Sequence, residues 1–384
     1  MAFPDVVVLV PGFFGFSRLG GFYYFADRVA ATLRGALETA KHRTIPVVPV
    51  SCFPTAHLAK RQTSLIKRLR ELCDHMGGVT RLHLVGHSAG GVDAQLLTCE
   101  RPLGKRHWDI DAQRIRNKLA TVVGIASPHH GTCLSNAPLA RLIADPVQQL
   151  LGDPLAQAAM MPSIVRQLGH LSRLAASESE MIWASLLTRL RDSTRFLGEV
   201  VRHRGLIDDL APRAMESTRA HWGKGNVPLR SFVTVAPDPR RFATDGPDRR
   251  KAEPFFADLY RLTSDTTGAP TSAALHRAAM LLNARAGGAI SSSSDILSFD
   301  EHVSDGVVNS TRQLVDPTDP DELAGIVVAD HADVLGHYDR TDMFMDDAPL
   351  NLGLFHSGAG FNDNQFYTLY DRVAGVLAQQ MPSR

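Results

Sequence analysis

The sequence predicts a doubly wound α/β fold: a mainly parallel sheet with an inserted helical cap. Two observations point there. Short aliphatic runs alternate with amphipathic stretches at helical spacing, and that alternation is broken once, mid-chain, by a leucine-rich segment without strand character. Composition agrees, since 44% hydrophobic and 21% charged residues are ordinary for a soluble globular chain and exclude disordered, collagen-like and coiled-coil organisations. The chain reads as one domain, with a core at residues 1–135 and 224–384 and the cap at residues 136–223.

Residues 6–10 form a continuous β-branched and aliphatic run, as in a strand buried on both faces, and Pro11-Gly12 ends it in a loop. The next apolar run, residues 45–50, precedes a helical face of Leu58, Leu65, Ile66, Leu69 and Leu72 that Gly77-Gly78 closes. Residues 82–85 read as a strand, 92–97 as a helix and 119–126 as a further strand before Ser127-Pro128. From residue 136 helical segments such as 182–197 dominate. Strand character returns at 229–236 and 324–329, and residues 361–379 read as a closing amphipathic helix. Between those two strands, a poorly periodic stretch with Pro, Gly and serines 291–294 reads as surface excursions.

Lys plus Arg (41) balances Asp plus Glu (40), so nothing in the charge favours a nucleic-acid or strongly anionic membrane partner. Cys52, Cys73, Cys99 and Cys133 lack a metal-ligand spacing and read as reduced thiols. The first residues carry no basic signal-like region, and no apolar run reaches bilayer length. A cytoplasmic location is therefore the default expectation.

Gly86-His87-Ser88-Ala89-Gly90 matches G-x-S-x-G, in which a tight strand-to-helix turn pushes a serine hydroxyl clear of the backbone. The pattern alone would occur by chance in roughly one such chain in ten. Here it follows a predicted strand and opens a predicted helix, the setting that the chemistry requires. Pro11-Gly12-Phe13-Phe14-Gly15 follows the first strand, where an oxyanion-stabilising backbone N–H is expected, so Phe13 and Ala89 are the candidate backbone donors.

Several separated segments resemble the bacterial triacylglycerol lipases, a family of the α/β-hydrolase fold. Residues 8–16 resemble the family's first strand and oxyanion loop, with Pro11 where the family usually has His. Residues 84–91 resemble its nucleophile elbow, and Ser127-Pro128-His129-His130-Gly131-Thr132 its next strand end. Ser304-Asp305-Gly306-Val307-Val308-Asn309 resembles the segment bearing the catalytic acid, and residues 330–336 that bearing the catalytic histidine. The central helical region and residues 240–300 match poorly. The resemblance implies a Ser88, Asp305 and His331 triad. The order Ser, Asp, His agrees with it, as does the position of His331 directly after a predicted strand.

His129, His130, His302, His337 and His356 are the rival bases, and Asp300, Glu301 and Asp295 the rival acids. His87 reads as packing beside the elbow or tuning the site. Asp333 stands where some family members carry a calcium ligand, although one acid makes no calcium site; no cofactor is otherwise expected, and no zinc cluster is present. Apolar cap residues, among them Leu139, Leu142, Ile143, Val147, Leu150, Leu151, Met160, Met161, Ile164 and Val165, fit either a lid that lines an acyl pocket and meets a lipid surface, or an extra helical layer. The expected reaction is hydrolysis of a lipid-like carboxylic ester, with thioesterase, phospholipase, polyester depolymerase and acyltransferase as alternatives. A non-catalytic lipid-binding protein is the alternative outside enzymes.

Overall fold

A computed structural model describes residues 4–13, 18–19, 22–136, 205–219, 226–239, 254–292, 297–338 and 357–382. The strands β1 (Asp5–Val10), β2 (Val47–Pro49), β3 (Arg81–His87), β4 (Leu119–Ile125), β5 (Leu229–Val235) and β6 (Leu323–Val328) form one parallel sheet in the order β2-β1-β3-β4-β5-β6. Around it lie helices α1 (Asp27–Lys41), α2 (Leu58–Met76), α3 (Ala89–Leu96), α4 (Ile110–Arg116), α5 (Gly205–Asp209), α6 (Pro212–Arg219), α7 (Pro254–Ser264), α8 (Ala273–Arg285) and α9 (Asp363–Gln379).

Strand β1 is buried at every position because helices cover both of its faces. Successive side chains of a strand point to opposite sides. Val7 and Leu9 pack with Val29, Leu33 and Leu37 of α1 and with Phe366, Leu369 and Val373 of α9. Val6, Val8 and Val10 meet Leu65 and Leu69 of α2 on the other face. Each such fully buried aliphatic side chain contributes roughly 1.5–3 kcal/mol. The β2 strand carries Pro49 and lies at the sheet edge, where a missing N–H is tolerated.

Helix α4 lies in a stretch to which the sequence reading gives no element, and three further helices depart from that reading. Helix α1 occupies the stretch read as loop, because its buried stripe holds only three large residues, Val29, Leu33 and Leu37, and its remaining drive is alanine-rich propensity. Helices α7 and α8 replace the expected surface excursions. Ala278 and Leu282 of α8 pack under Val233, Val235, Ile326 and Val328, so this stretch is part of the core. The Ser272 hydroxyl caps α8 by accepting from Leu275 N at 3.4 Å.

Helices α5 and α6 fall within the residues read as cap. Their Leu206, Leu210 and Met215 are buried against Leu58 of α2 and against Ala89, Val92 and Leu96 of α3. The segment 182–197 and the ten apolar cap residues from Leu139 to Val165 lie outside the described residues.

Candidate active site

The winding of the sheet reverses at β1, which is flanked by β2 on one side and β3 on the other. A crevice opens at such a reversal, beyond the carboxyl ends of the two strands. Pro11-Gly12-Phe13 leaves β1 there and Ser88 leaves β3.

Ser88 adopts φ 55° and ψ −133°, a conformation uncommon outside glycine. Holding it costs about 1–3 kcal/mol, which the surrounding contacts offset. Its N–H donates to Ile125 O at 2.9 Å, and its carbonyl accepts from Gly91 N at 3.0 Å. A Cβ at Gly86 would overlap the Gly90 backbone, and one at Gly90 would overlap the Val10 carbonyl, so both glycines are needed where strand and helix meet. Gly12 packs directly on the serine: a Cβ there would lie 2.7 Å from Ser88 Cβ. Ala89 opens α3, whose first amides have no partner within the helix. Phe13 packs against the same cluster as Ala89.

Asp305 and His331 meet. His331 Nδ1 lies 2.8 Å from Asp305 Oδ2, with the carboxylate fully buried. Oδ2 also accepts from Thr234 Oγ1 at 2.6 Å and Gln313 Nε2 at 3.3 Å, and Oδ1 accepts from Val307 N at 2.9 Å and Val308 N at 2.7 Å. An ionised carboxylate only accepts hydrogen bonds, so Nδ1 carries the imidazole proton and Nε2 presents a lone pair. His331 N donates to Asp305 O at 3.0 Å, fixing the loop to the acid by its backbone as well. The His331 ring lies with its centroid 4.7 Å from that of His87, the residue before Ser88.

The rival residues lie elsewhere. His129 and His130 are buried in the loop after β4. Burial, reinforced by Arg219, pushes His129 down to about 3 and His130 well below the usual imidazole range, which makes both poor proton acceptors. His302 is exposed, its Nδ1 2.9 Å from Ser264 O, and His337 is buried. Asp300 accepts from His302 N at 2.8 Å and Val303 N at 3.1 Å in its own turn, while Glu301 lies beside His302. His356 and Asp295 lie outside the described residues, as do Phe14 and Gly15.

Two groups of site residues carry no motif. Thr234 and Gln313 bind the acid from β5 and from the turn after it. Arg61 of α2, fully buried, binds Asp93 of α3 at 2.9 Å (Nε to Oδ2) and 2.5 Å (Nη2 to Oδ2). Its Nη2 also donates to Pro11 O and Gly12 O, both at 3.1 Å, and Nη1 donates to Phe53 O and Pro54 O. The guanidinium thus ties the loop after β1 to the helix after Ser88. A usable signal existed: Asp93 is the one charged residue of α3, and Arg61 interrupts the Leu58–Leu65 stripe of α2.

Asp333 is buried and its carboxylate accepts from Asp330 N at 3.0 Å, while Asp330 Oδ1 accepts from Ala332 N at 3.0 Å and Asp333 N at 2.9 Å. Burial, then the Asp330 charge, raises the Asp333 carboxyl well above the usual range. Among the described residues, no three His, Cys, Asp or Glu side chains converge as metal ligands. No described helix is long and apolar enough to cross a membrane. Cys52, Cys73, Cys99 and Cys133 are free thiols.

No family model matches the chain. A triacylglycerol lipase of Pseudomonas fragi is 28% identical over 167 residues, 43% of this chain and 47% of that relative. The chain spans about half the length of that curated relative. Among solved structures, the Staphylococcus hyicus lipase superposes with a TM-score of 0.50 at 17% identity, covering 98% of this chain and 96% of that one. Lipase 1 of Pelosinus fermentans does so with a TM-score of 0.50 at 15% identity, covering 98% and 99%. The chain has the α/β-hydrolase fold and is similar to the bacterial triacylglycerol lipases.

Proposed function

We propose that the protein hydrolyses carboxylic esters with lipid-like acyl groups through a Ser88–His331–Asp305 triad. The observation that carries this reading is the 2.8 Å bond from His331 Nδ1 to buried Asp305, with the His331 ring against His87, the residue before the serine of the strained strand-to-helix turn. In the first step His331 Nε2 takes the hydroxyl proton while Ser88 Oγ attacks the ester carbonyl, and Asp305 stabilises the imidazolium. The tetrahedral oxyanion accepts from the Phe13 and Ala89 amides. Collapse expels the alcohol, which receives the proton from His331, and leaves an acyl-enzyme. Water, deprotonated by His331, then attacks the acyl carbonyl and releases the acid and free Ser88. No cofactor takes part. The similarity to lipases and the leucine- and methionine-rich cap sequence, residues 136–223, support a lipid-like acyl group and contact with a lipid surface.

A fluorophosphonate probe tests the chemistry: it should label the wild type and fail on Ser88→Ala. Turnover of a soluble ester should fall at least about a thousandfold in Ser88→Ala and His331→Ala, and His130→Ala should stay within several-fold of wild type. Labelling that persists in Ser88→Ala, or a His130 effect exceeding that of His331, would end the assignment. A panel of esters, thioesters, phospholipids and polyesters of graded chain length separates the substrates that this constellation serves.

A further inference from the structure

We propose that His87 is a positioning residue for the His331 loop, the middle of a hydrogen-bond chain that runs from the oxyanion loop through Tyr24 to the backbone of the catalytic histidine. The inference rests on the triad reading and deepens it.

His87 is buried, its Nε2 lies 2.8 Å from His331 O, and its Nδ1 lies 2.7 Å from Tyr24 Oη. The two ends of the chain set its direction. A carbonyl oxygen only accepts, so His87 Nε2 carries the proton and Nδ1 is the acceptor. Tyr24 therefore donates its hydroxyl hydrogen to Nδ1, and its oxygen accepts from the Gly12 backbone N–H. The phenol is seated so closely on Gly12 that no Cβ fits there. Burial, then the neighbouring His331, lowers the His87 pKa well below the usual range, so the ring stays neutral and keeps this tautomer. Bonds in such a chain polarise one another in a dry environment.

The chain matters because, among the described residues, His331 is otherwise hydrogen-bonded from the Asp305 side alone. Its N–H and Nδ1 both bond Asp305, whereas its carbonyl is held by His87. With that carbonyl released, the imidazole can keep Asp305 while the loop turns Nε2 away from the serine. A displacement near 1 Å lowers a rate by about a hundredfold.

Asparagine and glutamine at position 87 separate this role from bulk packing. Asn places an acceptor near Nδ1 but cannot reach His331 O, whereas Gln places an amide N–H near Nε2. With soluble p-nitrophenyl butyrate, His87→Asn should lower kcat about 10–100-fold with KM changed less than about twofold. His87→Gln should recover to within about fivefold of wild type, with Tyr24→Phe between them. Wild-type kcat in His87→Asn, or equal loss in the Asn and Gln variants, overturns the proposal. If circular dichroism shows that His87→Asn does not fold, Tyr24→Phe decides: an unchanged kcat overturns it, and a reduced kcat at unchanged KM supports it. Ser88→Ala is the control for the underlying reading. An inactive Ser88→Ala with a fully active His87→Asn removes only the positioning role, and an active Ser88→Ala removes the triad itself.

Discussion

Asp333 shows how a single side chain is governed by what surrounds it. Its carboxyl is buried beside Asp330, and burial followed by the Asp330 charge raises its pKa. A raised folded pKa means that the neutral form is the one the fold favours. The stabilisation is complete below the unfolded carboxyl value of about 3.9 and is lost as pH rises through the higher folded value. Asp333→Asn keeps an acceptor for Asp330 N and removes the titration. Its Tm should match wild type near pH 4 and exceed it at pH 8, and differential scanning across that range checks this; parallel Tm curves would refute it. Sequence alone could name Asp333 but not its protonation, because the deciding charge and burial come from the folded loop. Likewise, His331 was legible from its place after a strand, whereas the tautomer that makes Nε2 the base follows from the donors around Asp305.

Arg61 and Asp93 act between elements, where α2, α3 and the loop after β1 converge on one guanidinium. Removing one member of a buried ion pair costs about 3–5 kcal/mol, since the other is left charged and unpaired. Arg61→Met should therefore lower the urea unfolding free energy by that amount, and the double variant Arg61→Met with Asp93→Leu should regain much of it. A single-variant loss under about 1 kcal/mol would show that the pair is dispensable. The turnover of any folded Arg61→Met should also fall, because Pro11 O and Gly12 O lose the donor that sets the Phe13 amide. Element boundaries were well read where apolar runs were continuous, as in β1, β3 and β4. They were missed in α1 and α8, where alanine-rich helices bury narrow stripes against partners distant in sequence.

At the scale of the whole molecule, sheet order decides where chemistry is placed. The reversal at β1 brings the loops after β1 and β3 to one crevice, and β5 and β6 deliver Thr234, Asp305 and His331 to the same rim. The cap read from the sequence at residues 136–223, if it acts as a lid, carries a further prediction. Activity on one triglyceride should rise sharply as its concentration passes the solubility limit. Simple saturation through that limit would instead make the segment an added helical layer.

By itself the sequence determined the parallel α/β architecture and singled out Ser88, Asp305 and His331 as the candidate site, because strand runs, tight glycine turns and the order Ser, Asp, His are local or ordered along the chain. Only the tertiary structure decided which donors surround the acid, which histidine is too buried to take a proton, and that Arg61, Asp93, Tyr24 and His87 link the site's loops. Those properties depend on burial and, for the links through Arg61, Tyr24 and His87, on partners 32 to 244 residues apart, distances at which sequence spacing carries no geometric information.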